Sequence, residues 1–599
     1  MQARENRFTI HVATVNGSGS QTANTTILRA LFQMGVPVSG KNLFPSNIAG
    51  LPTWFTIRVS DQGYIARSTG YDLLVAMNPE TSHADVAAMG PGSILVLAEG
   101  VPAPPIPPDR TAYTIPFAKL VEPLVADVKF RKLVVNMVYV GVVSFLLGIE
   151  RAEVDRALAA QLGRKPKALD LNRTAVQVGY DYAAANLTPA PFRARRLDRN
   201  EGKILVDGNQ AAAIGAMFGG VTFLSWYPIT PSSSLAEQLE GLLERYRRDP
   251  ETNRATYAVV QAEDEIAAIG MVLGASWAGA RSMTTTSGPG LSLMTEFTGY
   301  AYYAEIPAVI WDIQRIGPST GLPTRTSQAD LLSVAFLSHG DTKHVMLFPA
   351  TVEECFEYGM GAFDFADRLQ TPVFVMSDLD LGMNVWMSEP FRYPEKAWDR
   401  GKVLDAEDLA RLQKFERYRD TDGDAIPYRT LPGTAHPLAA YFTRGSGHDE
   451  QARYTESSET YRRVMDRLAR KFETARGVLP APTIDSFAGA EVGLIAFGST
   501  HHAMAETRDT LQADGLRTSY LRIRAYPFAE GVRRFLESHE RVYVIEQNRD
   551  AQMAALLRMD CPDLAPRIRS VLHYDGLPID AESIVKGIRS AERTEVAVR

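Results

Sequence analysis

The chain has 599 residues, of which 45% are hydrophobic and 22% charged, with a formal net charge of -7 and a pI near 5.9. That is ample apolar material for the cores of about three or four domains, and 63 Lys and Arg dispersed among 70 Asp and Glu leave no nucleic-acid footprint to expect. Cys355 and Cys561 are the only cysteines, which points to a reducing, cytoplasmic setting and excludes a four-cysteine cluster held by this chain alone.

Residues 1–7 are polar and show no signal-peptide pattern. Residues 8–15 predict a strand, Asn16-Gly17-Ser18-Gly19-Ser20 a turn, and Ile27, Leu28, Leu31 and Phe32 mark the helix that follows. A strand, a glycine turn and a helix suit a phosphate group, because free backbone N–H groups at a helix start face the turn. Gly17, Ser18 and Gly19 are therefore candidate binding residues, although an ordinary turn explains them equally well without a third glycine. Strands at 54–59, 73–77 and 94–97 extend this into an open α/β sheet. Residues 133–149 hold no charge over seventeen positions, close to the length of a membrane span. Asn136, Tyr139, Gly141 and Ser144 interrupt them, so a core or interface helix is expected and no membrane.

Residues 186–200, rich in Pro and Arg, read as a linker between a first domain, 1–190, and a second, 191–385. A strand at 203–206 and a small-residue helix at 211–218, able to pack closely, open the second. In Tyr227-Pro228-Ile229-Thr230-Pro231-Ser232-Ser233 two prolines fix the backbone around Thr230 and present its hydroxyl, while Ser232 or Ser233 suits the cap of a helix from Leu235. Next come Val259 and Val260, the acids Glu263, Asp264 and Glu265, and a helix over 266–277 that is apolar on nearly every side and so expected to be buried. Each acid suits a helix cap, but Glu265 lies against the most apolar part, where a carboxyl is drawn out of water. A strand at 283–286 then enters Ser287-Gly288-Pro289-Gly290 and a long helix over 291–304, a backbone cradle for a ligand. The strand 306–313 ends at Gln314-Arg315, and open α/β sheets bind ligands at that edge. Arg325, just after Gly321-Leu322-Pro323-Thr324, is a second cation on the same loop; an isolated Arg is more often a surface ion-pair partner.

Residues 386–480 read as a charged connecting segment with helices at 406–418 and 457–475. Asp422-Gly423-Asp424 lacks the later ligands of an EF-hand and reads as a turn. Arg444-Gly445-Ser446-Gly447-His448-Asp449 has no assignable role, and His448 suits the surface. Residues 481–599 form another α/β unit with strands at 492–497 and 542–545. His501 and His502 diverge as neighbours on a helix, so no metal site is expected on this chain.

Tyr227 to Ser233, Glu263-Asp264-Glu265, Ser287-Gly288-Pro289-Gly290, Gln314-Arg315 and Gly317-Pro318-Ser319-Thr320-Gly321-Leu322-Pro323-Thr324 together resemble, in order and spacing, the α subunit of 2-oxoacid:ferredoxin oxidoreductases. Residues 1–190 resemble that family's γ subunit, fused ahead of α, and Arg444 to Asp449 also look like a family segment. The resemblance implies three α/β domains: an N-terminal γ-like domain, a thiamine-diphosphate pyrimidine-binding domain and, at 481–599, a transketolase C-terminal-like domain. It implies Glu265 as the acid hydrogen-bonded to the aminopyrimidine, which favours its imino tautomer and so the loss of the thiazolium proton. Tyr227, Pro228, Ile229, Ser287 and Gly288 would line that cofactor, and Thr230, Arg315, Thr324 and Arg325 the substrate. The γ-like domain would help place coenzyme A, although residues 16–21 differ from the family's commoner glycine-rich loop.

Two cations suggest a dicarboxylate, which agrees with the 2-oxoglutarate branch; pyruvate or a broad set of 2-oxoacids is the alternative. The diphosphate end needs a Gly-Asp-Gly stretch with a downstream Asn, which this sequence lacks. The resemblance therefore implies a β subunit supplying the diphosphate site, Mg²⁺ and a cysteine-bound [4Fe-4S] cluster, in a dimer of heterodimers that decarboxylates the 2-oxoacid, reduces ferredoxin and forms succinyl-CoA. Two other readings stay open: a thiamine enzyme of the transketolase or 2-oxoacid dehydrogenase type without iron, and a nucleotide-binding scaffold using Gly17 and Gly19.

Overall fold

The computed structural model describes residues 4–45 and 50–598. They fall into two compact units, one of Met1–Val206, Asn384–Pro390 and Pro578–Ser583, the other of Asp207–Met383, Phe391–Leu577 and Ile584–Arg599.

The first unit is built on a mixed sheet of eight strands in the order Thr111–Ile115, Ile94–Ala98, Leu73–Ala76, Arg7–Val15, Pro52–Ser60, Val38–Leu43, Val385–Ser388 and Ile204–Asp207. Arg7–Val15 lies near its centre, parallel to Leu73–Ala76 with Ile10 beside Leu73, and antiparallel to Pro52–Ser60 with Ile10 beside Ile57. Ile204–Asp207 was expected to open the second domain, yet it adds an edge to this sheet. The presumed linker before it is also tied down. Phe192–Arg193 pairs with Arg4–Glu5, Arg193 and Arg195 both bind Glu5, and Arg196 binds Glu150 and Glu153. Three of its four arginines have acidic partners, which a reading of local composition does not reveal.

The uncharged run lies in the helix Val128–Leu147, the one helix among the described residues that is long and apolar enough to cross a membrane. It is spent on the core instead: Val138, Tyr139, Val140, Val142 and Val143 have no exposure at all. Its neighbour is the helix Pro166–Asn186, and the two touch backbone to backbone. A Cβ on Gly179 would lie 2.0 Å from the carbonyl oxygen of Val138, and one on Gly141 2.1 Å from that of Val176. Gly179→Ala is therefore expected to cost about 1–3 kcal/mol by overpacking, read as a lower thermal midpoint. Gly70→Ala, where nothing lies within 4 Å, should leave the midpoint unchanged.

The second unit holds two sheets. The larger runs Ala258–Gln261, Phe223–Trp226, Ser282–Thr286, Ala308–Gln314, Pro372–Asp378, Val345–Leu347 and Ala525–Tyr526, parallel throughout except for the last pairing. The smaller runs Thr483–Asp485, Thr518–Arg522, Val492–Ala496, Arg541–Glu546 and Ile568–Leu572. Ile310, Phe348 and Phe374 from the side of the first share one apolar cluster with Ile495, Phe497 and Val544 from the side of the second. The small-residue helix is Gly208–Phe218, and a Cβ on its Gly215 would meet the carbonyl oxygen of Phe356 in the helix Val352–Leu369 at 2.1 Å. Close packing was the expected use of those residues.

Three local expectations change. The helix expected over 291–304 is two helices, Gly288–Leu293 and Thr295–Ala304; the Thr295 hydroxyl bonds back to the Ser292 carbonyl at 2.7 Å and competes with the helical ladder there. The helix expected over 406–418 stops at Ala410 after a capping box of Asp405 and Asp408. Beyond it Arg417 and Tyr418 turn inward to donate to the backbone oxygens of Glu305 and Ala304. His448, expected at the surface, is 1% exposed and packs on the rings of Tyr418 and Tyr303. Asp422 and Asp424 clasp Lys402 at 2.6 and 2.8 Å, and no cluster of three metal-ligating side chains occurs among the described residues.

Candidate active site

Four motif loops leave the carboxyl ends of four adjacent parallel strands. Residues 227–233 follow Phe223–Trp226, Glu265 follows Ala258–Gln261, Ser287 follows Ser282–Thr286, and Arg315 follows Ala308–Gln314. Segments up to nearly ninety residues apart in sequence thus meet at one sheet edge, the ligand-binding edge of open α/β sheets.

Glu265 opens the helix Glu265–Trp277. The cap is its neighbour: Asp264 accepts from the backbone N–H of Ala267 at 2.7 Å, and Glu263 is exposed. Glu265 is left without that duty. It is 5% exposed, and no hydrogen bond to its carboxylate is found among the described residues. A Cβ on Gly290 would fall 2.8 Å from its Cγ and 2.0 Å from the Thr286 hydroxyl, so the glycine loop makes room for this side chain. The helix is not buried all round as its composition suggested. Ala268, Ile269, Val272 and Leu273 face the core, while Ile266, Met271 and Trp277 are 43%, 42% and 37% exposed.

Arg315 is 7% exposed and donates to the Thr230 carbonyl oxygen at 2.6 Å. Its Nε has no partner. Burial works against its charge, and the carboxylates of Asp330 and Glu265 work for it. Thr230 keeps partial exposure, as its rigid turn was expected to allow. The two serines after it do not cap: Ser232 and Ser233 both bond back to the Ile229 carbonyl, at 3.0 and 3.2 Å. They brace the turn that holds Thr230. Thr324 is buried, and half-buried Arg325 folds back on it, donating to its carbonyl and hydroxyl oxygens at 2.9 and 3.2 Å. Tyr227 and Pro228 are exposed and Ile229 half-buried.

Ser287 begins the helix Gly288–Leu293, and its buried hydroxyl has no partner. Under Gly288 lies a residue that the sequence reading passed over. A Cβ on Gly288 would fall 2.8 Å from each carboxyl oxygen of Asp330, and Asp330 in turn faces Asp312. The available signal was Asp312 itself, a single acid in the fully buried strand Ala308–Gln314.

In the first unit, Gly17 and Gly19 both adopt a φ of 82°, which favours glycine, and the turn packs against the helix Val128–Leu147. Asn136 donates to the Ser18 carbonyl at 2.7 Å, a Cβ on Gly19 would lie 2.9 Å from Leu133, and the Ser18 hydroxyl is buried without a partner.

A buried acid without a hydrogen-bond donor among the described residues, and two cations, on the ligand edge of a parallel sheet define a cofactor-dependent α/β enzyme. Residues 214–426 match the family model described as pyruvate flavodoxin/ferredoxin oxidoreductase, thiamine diP-bdg, and residues 9–182 the one described as pyruvate ferredoxin/flavodoxin oxidoreductase. The sequence is 30% identical to 2-oxoacid:ferredoxin oxidoreductase 1, subunit alpha, of Aeropyrum pernix over 96% of both chains. It is 34% identical to the 2-oxoglutarate synthase subunit KorA of Methanothermobacter thermautotrophicus over 61% of this chain and 95% of that one. A structure of 2-oxoglutarate:ferredoxin oxidoreductase from Magnetococcus marinus, with 2-oxoglutarate, coenzyme A and succinyl-CoA bound, matches 98% of this chain and 99% of its own with a TM-score of 0.88 and 29% identity. The chain belongs to the 2-oxoacid:ferredoxin oxidoreductases, among their α subunits. The resemblance carried by the motifs and the α/β fold class therefore both hold.

Proposed function

We propose that this chain is the fused γ-α subunit of an enzyme that converts 2-oxoglutarate, coenzyme A and oxidised ferredoxin reversibly into succinyl-CoA, CO₂ and reduced ferredoxin. The observation that carries this is Glu265, a carboxylate almost closed off from water, with no hydrogen-bond partner of its own, at the sheet edge where Arg315 and Thr230 also stand. A buried acid of that kind calls for a donor from outside the chain.

The residues fit the pyrimidine end of thiamine diphosphate. Glu265 is an acceptor without a donor, Ser287 offers a free hydroxyl, Gly288 clears the loop of any side chain, and Tyr227, Pro228 and Ile229 leave an apolar edge open. When bound, thiamine diphosphate supplies the electron sink on which a 2-oxoacid gives up CO₂. Glu265 would orient the aminopyrimidine through one short, charge-assisted hydrogen bond and hold a proton at its carboxyl oxygen. Arg315 would take a substrate carboxylate, with Thr230 and Thr324 beside it. Arg325, on the same loop, would meet the second carboxylate of a dicarboxylic substrate. The γ-like unit would contribute Gly17, Ser18 and Gly19 to coenzyme A.

A β subunit would bring the diphosphate site, Mg²⁺ and a [4Fe-4S] cluster, and pass two electrons singly to ferredoxin. The open apolar strip Ile266, Met271 and Trp277, on the helix that Glu265 begins, supports a protein partner beside the site. The assembly would be a dimer of heterodimers working in the cytoplasm. Purified anaerobically with its partner, the enzyme should reduce ferredoxin with a higher kcat/KM for 2-oxoglutarate than for pyruvate. A preference for pyruvate would reverse the substrate assignment, and a partner without iron that fails to reduce ferredoxin would remove the proposed electron route. Arg325→Ala should raise the KM for 2-oxoglutarate about tenfold or more while leaving that for pyruvate nearly unchanged, since only the longer acid has a second carboxylate to lose.

A further inference from the structure

The strand Ala308–Gln314 is buried at every position, and Asp312 in it has no exposure. An ionised carboxylate in such a place needs a cation or a donor. Neither oxygen of Asp312 meets a donor among the described residues, and the polar group its carboxyl reaches is the carboxyl of Asp330, whose Oδ2 also lacks a donor. Two carboxyls facing each other in this way stay together only when a proton lies between them. Burial raises the carboxyl of Asp330 to about 6, against the lowering effects of its bond to Asp312 and of the Arg315 charge. Burial, and then the charge of Asp330 and its bond, push Asp312 well above the usual carboxylate range.

The place of the pair gives it a use. Asp330 lies directly under Gly288, and its backbone N–H donates to the side-chain oxygen of Gln314 at 3.2 Å, the residue before Arg315. The charged groups that face the pair are few. Arg315 stands at the end of the strand that carries Asp312, and Glu265 acts on Arg315 from the other side. Asp378, on the next strand, is engaged by Ser499, Gln328 and the backbone N–H of Leu381. The helix Leu331–Ala335 brings no charge.

We propose that Asp312 and Asp330 are positioning residues for Arg315: a one-proton carboxyl pair that balances its charge, and that takes a second proton from solvent when a 2-oxoacid carboxylate arrives there. The balance is simple. The pair carries one negative charge before binding, the substrate carboxylate then takes up the field of Arg315, and one proton enters through Asp330, which keeps partial exposure. This rests on the reading that Arg315 binds the substrate carboxylate.

Proton uptake on binding makes affinity fall as pH rises. The KM for the 2-oxoacid in the assembled enzyme should be lowest below about pH 6 and climb above it, by up to about tenfold per pH unit for one coupled proton, while the KM for coenzyme A stays flat. Asp330→Asn removes the carboxyl through which the second proton enters, so its KM for the 2-oxoacid should lose the native rise above about pH 6. The double variant Asp312→Asn with Asp330→Asn removes the charge and should also lose the pH dependence. Infrared difference spectra of the unaltered enzyme should show a protonated-carboxyl band growing when the 2-oxoacid is added. If that band does not grow, or if the double variant keeps the native pH dependence, the pair has no such role, and the binding role of Arg315 still stands. An unchanged 2-oxoacid KM in Arg315→Gln overturns both.

Discussion

Glu265→Gln, in the assembled enzyme, is expected to lose about 10²–10⁴-fold in turnover with its thermal midpoint, its partner and its iron content unchanged. The reason lies in what the side chain does in the isolated chain. Asp264 caps the helix, so the helix does not need Glu265 for its own stability. Among the described residues no donor satisfies Glu265, and the glycine at 290 leaves just enough room for it beside Thr286. Gln keeps the shape and one acceptor but cannot hold or share a proton, so the change tests chemistry and leaves packing alone. Glu263→Gln is the matched control: that residue is exposed, and its change should leave the rate within about twofold of the starting enzyme. Full turnover in Glu265→Gln would sink the assignment.

The site was far more legible in the sequence than the long-range packing, for a physical reason. Each motif sits at the end of a short strand: the apolar run 308–311 announces one, the β-branched pair Val259 and Val260 another, and the glycines or prolines announce the turns. Four such strands in parallel bring their ends to one edge without any further information. What composition cannot show is which distant group satisfies a polar residue. Residues 186–200 look like a free linker because Glu5, Glu150 and Glu153, which bind their arginines, lie far back in the chain. Residues 411–418 keep a helical pattern but are drawn out of it by backbone oxygens at 304 and 305. Asp312 is visible as an oddity in its strand, while its meaning depends on Asp330, eighteen residues later on a loop. The exposed side of Glu265–Trp277 is a further case: an all-apolar helix signals burial without saying whether its own chain provides the cover.

The second large effect concerns stability and the charged segment. Glu305 follows the helix Thr295–Ala304 with a φ of 56° and is 1% exposed, an unfavourable backbone conformation for a residue with a side chain. Three side chains from two segments hold it there. Lys471 and Arg467, both from the helix Ser458–Ala475, donate to its Oε2 at 2.8 and 3.0 Å, and Arg417 donates to its backbone oxygen at 3.1 Å. The same two cations reach on to the carbonyls of Gln370 and Ala425, at 3.0 and 3.1 Å, so one buried acid ties the connecting segment to the body of its unit. Glu305→Gln should cost about 3–5 kcal/mol, because it strands two buried cations, and denaturant unfolding should show the loss as an earlier midpoint. Replacing the whole group by apolar residues, Glu305→Leu with Arg467→Met and Lys471→Met, should recover most of it, which separates stranded charge from lost shape. The pH dependence has a definite sign. Burial alone would raise the Glu305 carboxyl, but Arg467, Lys471 and Arg417 outweigh it and hold the group well below the usual carboxylate range. A depressed acid gives stability that is complete above the unfolded carboxylate range and is lost as pH falls toward the folded value. The unaltered chain should therefore weaken progressively below about pH 4, and Glu305→Gln, with no proton to take up there, should show a shallower acid slope. Equal slopes would mean that other carboxylates govern the acid limit of this fold.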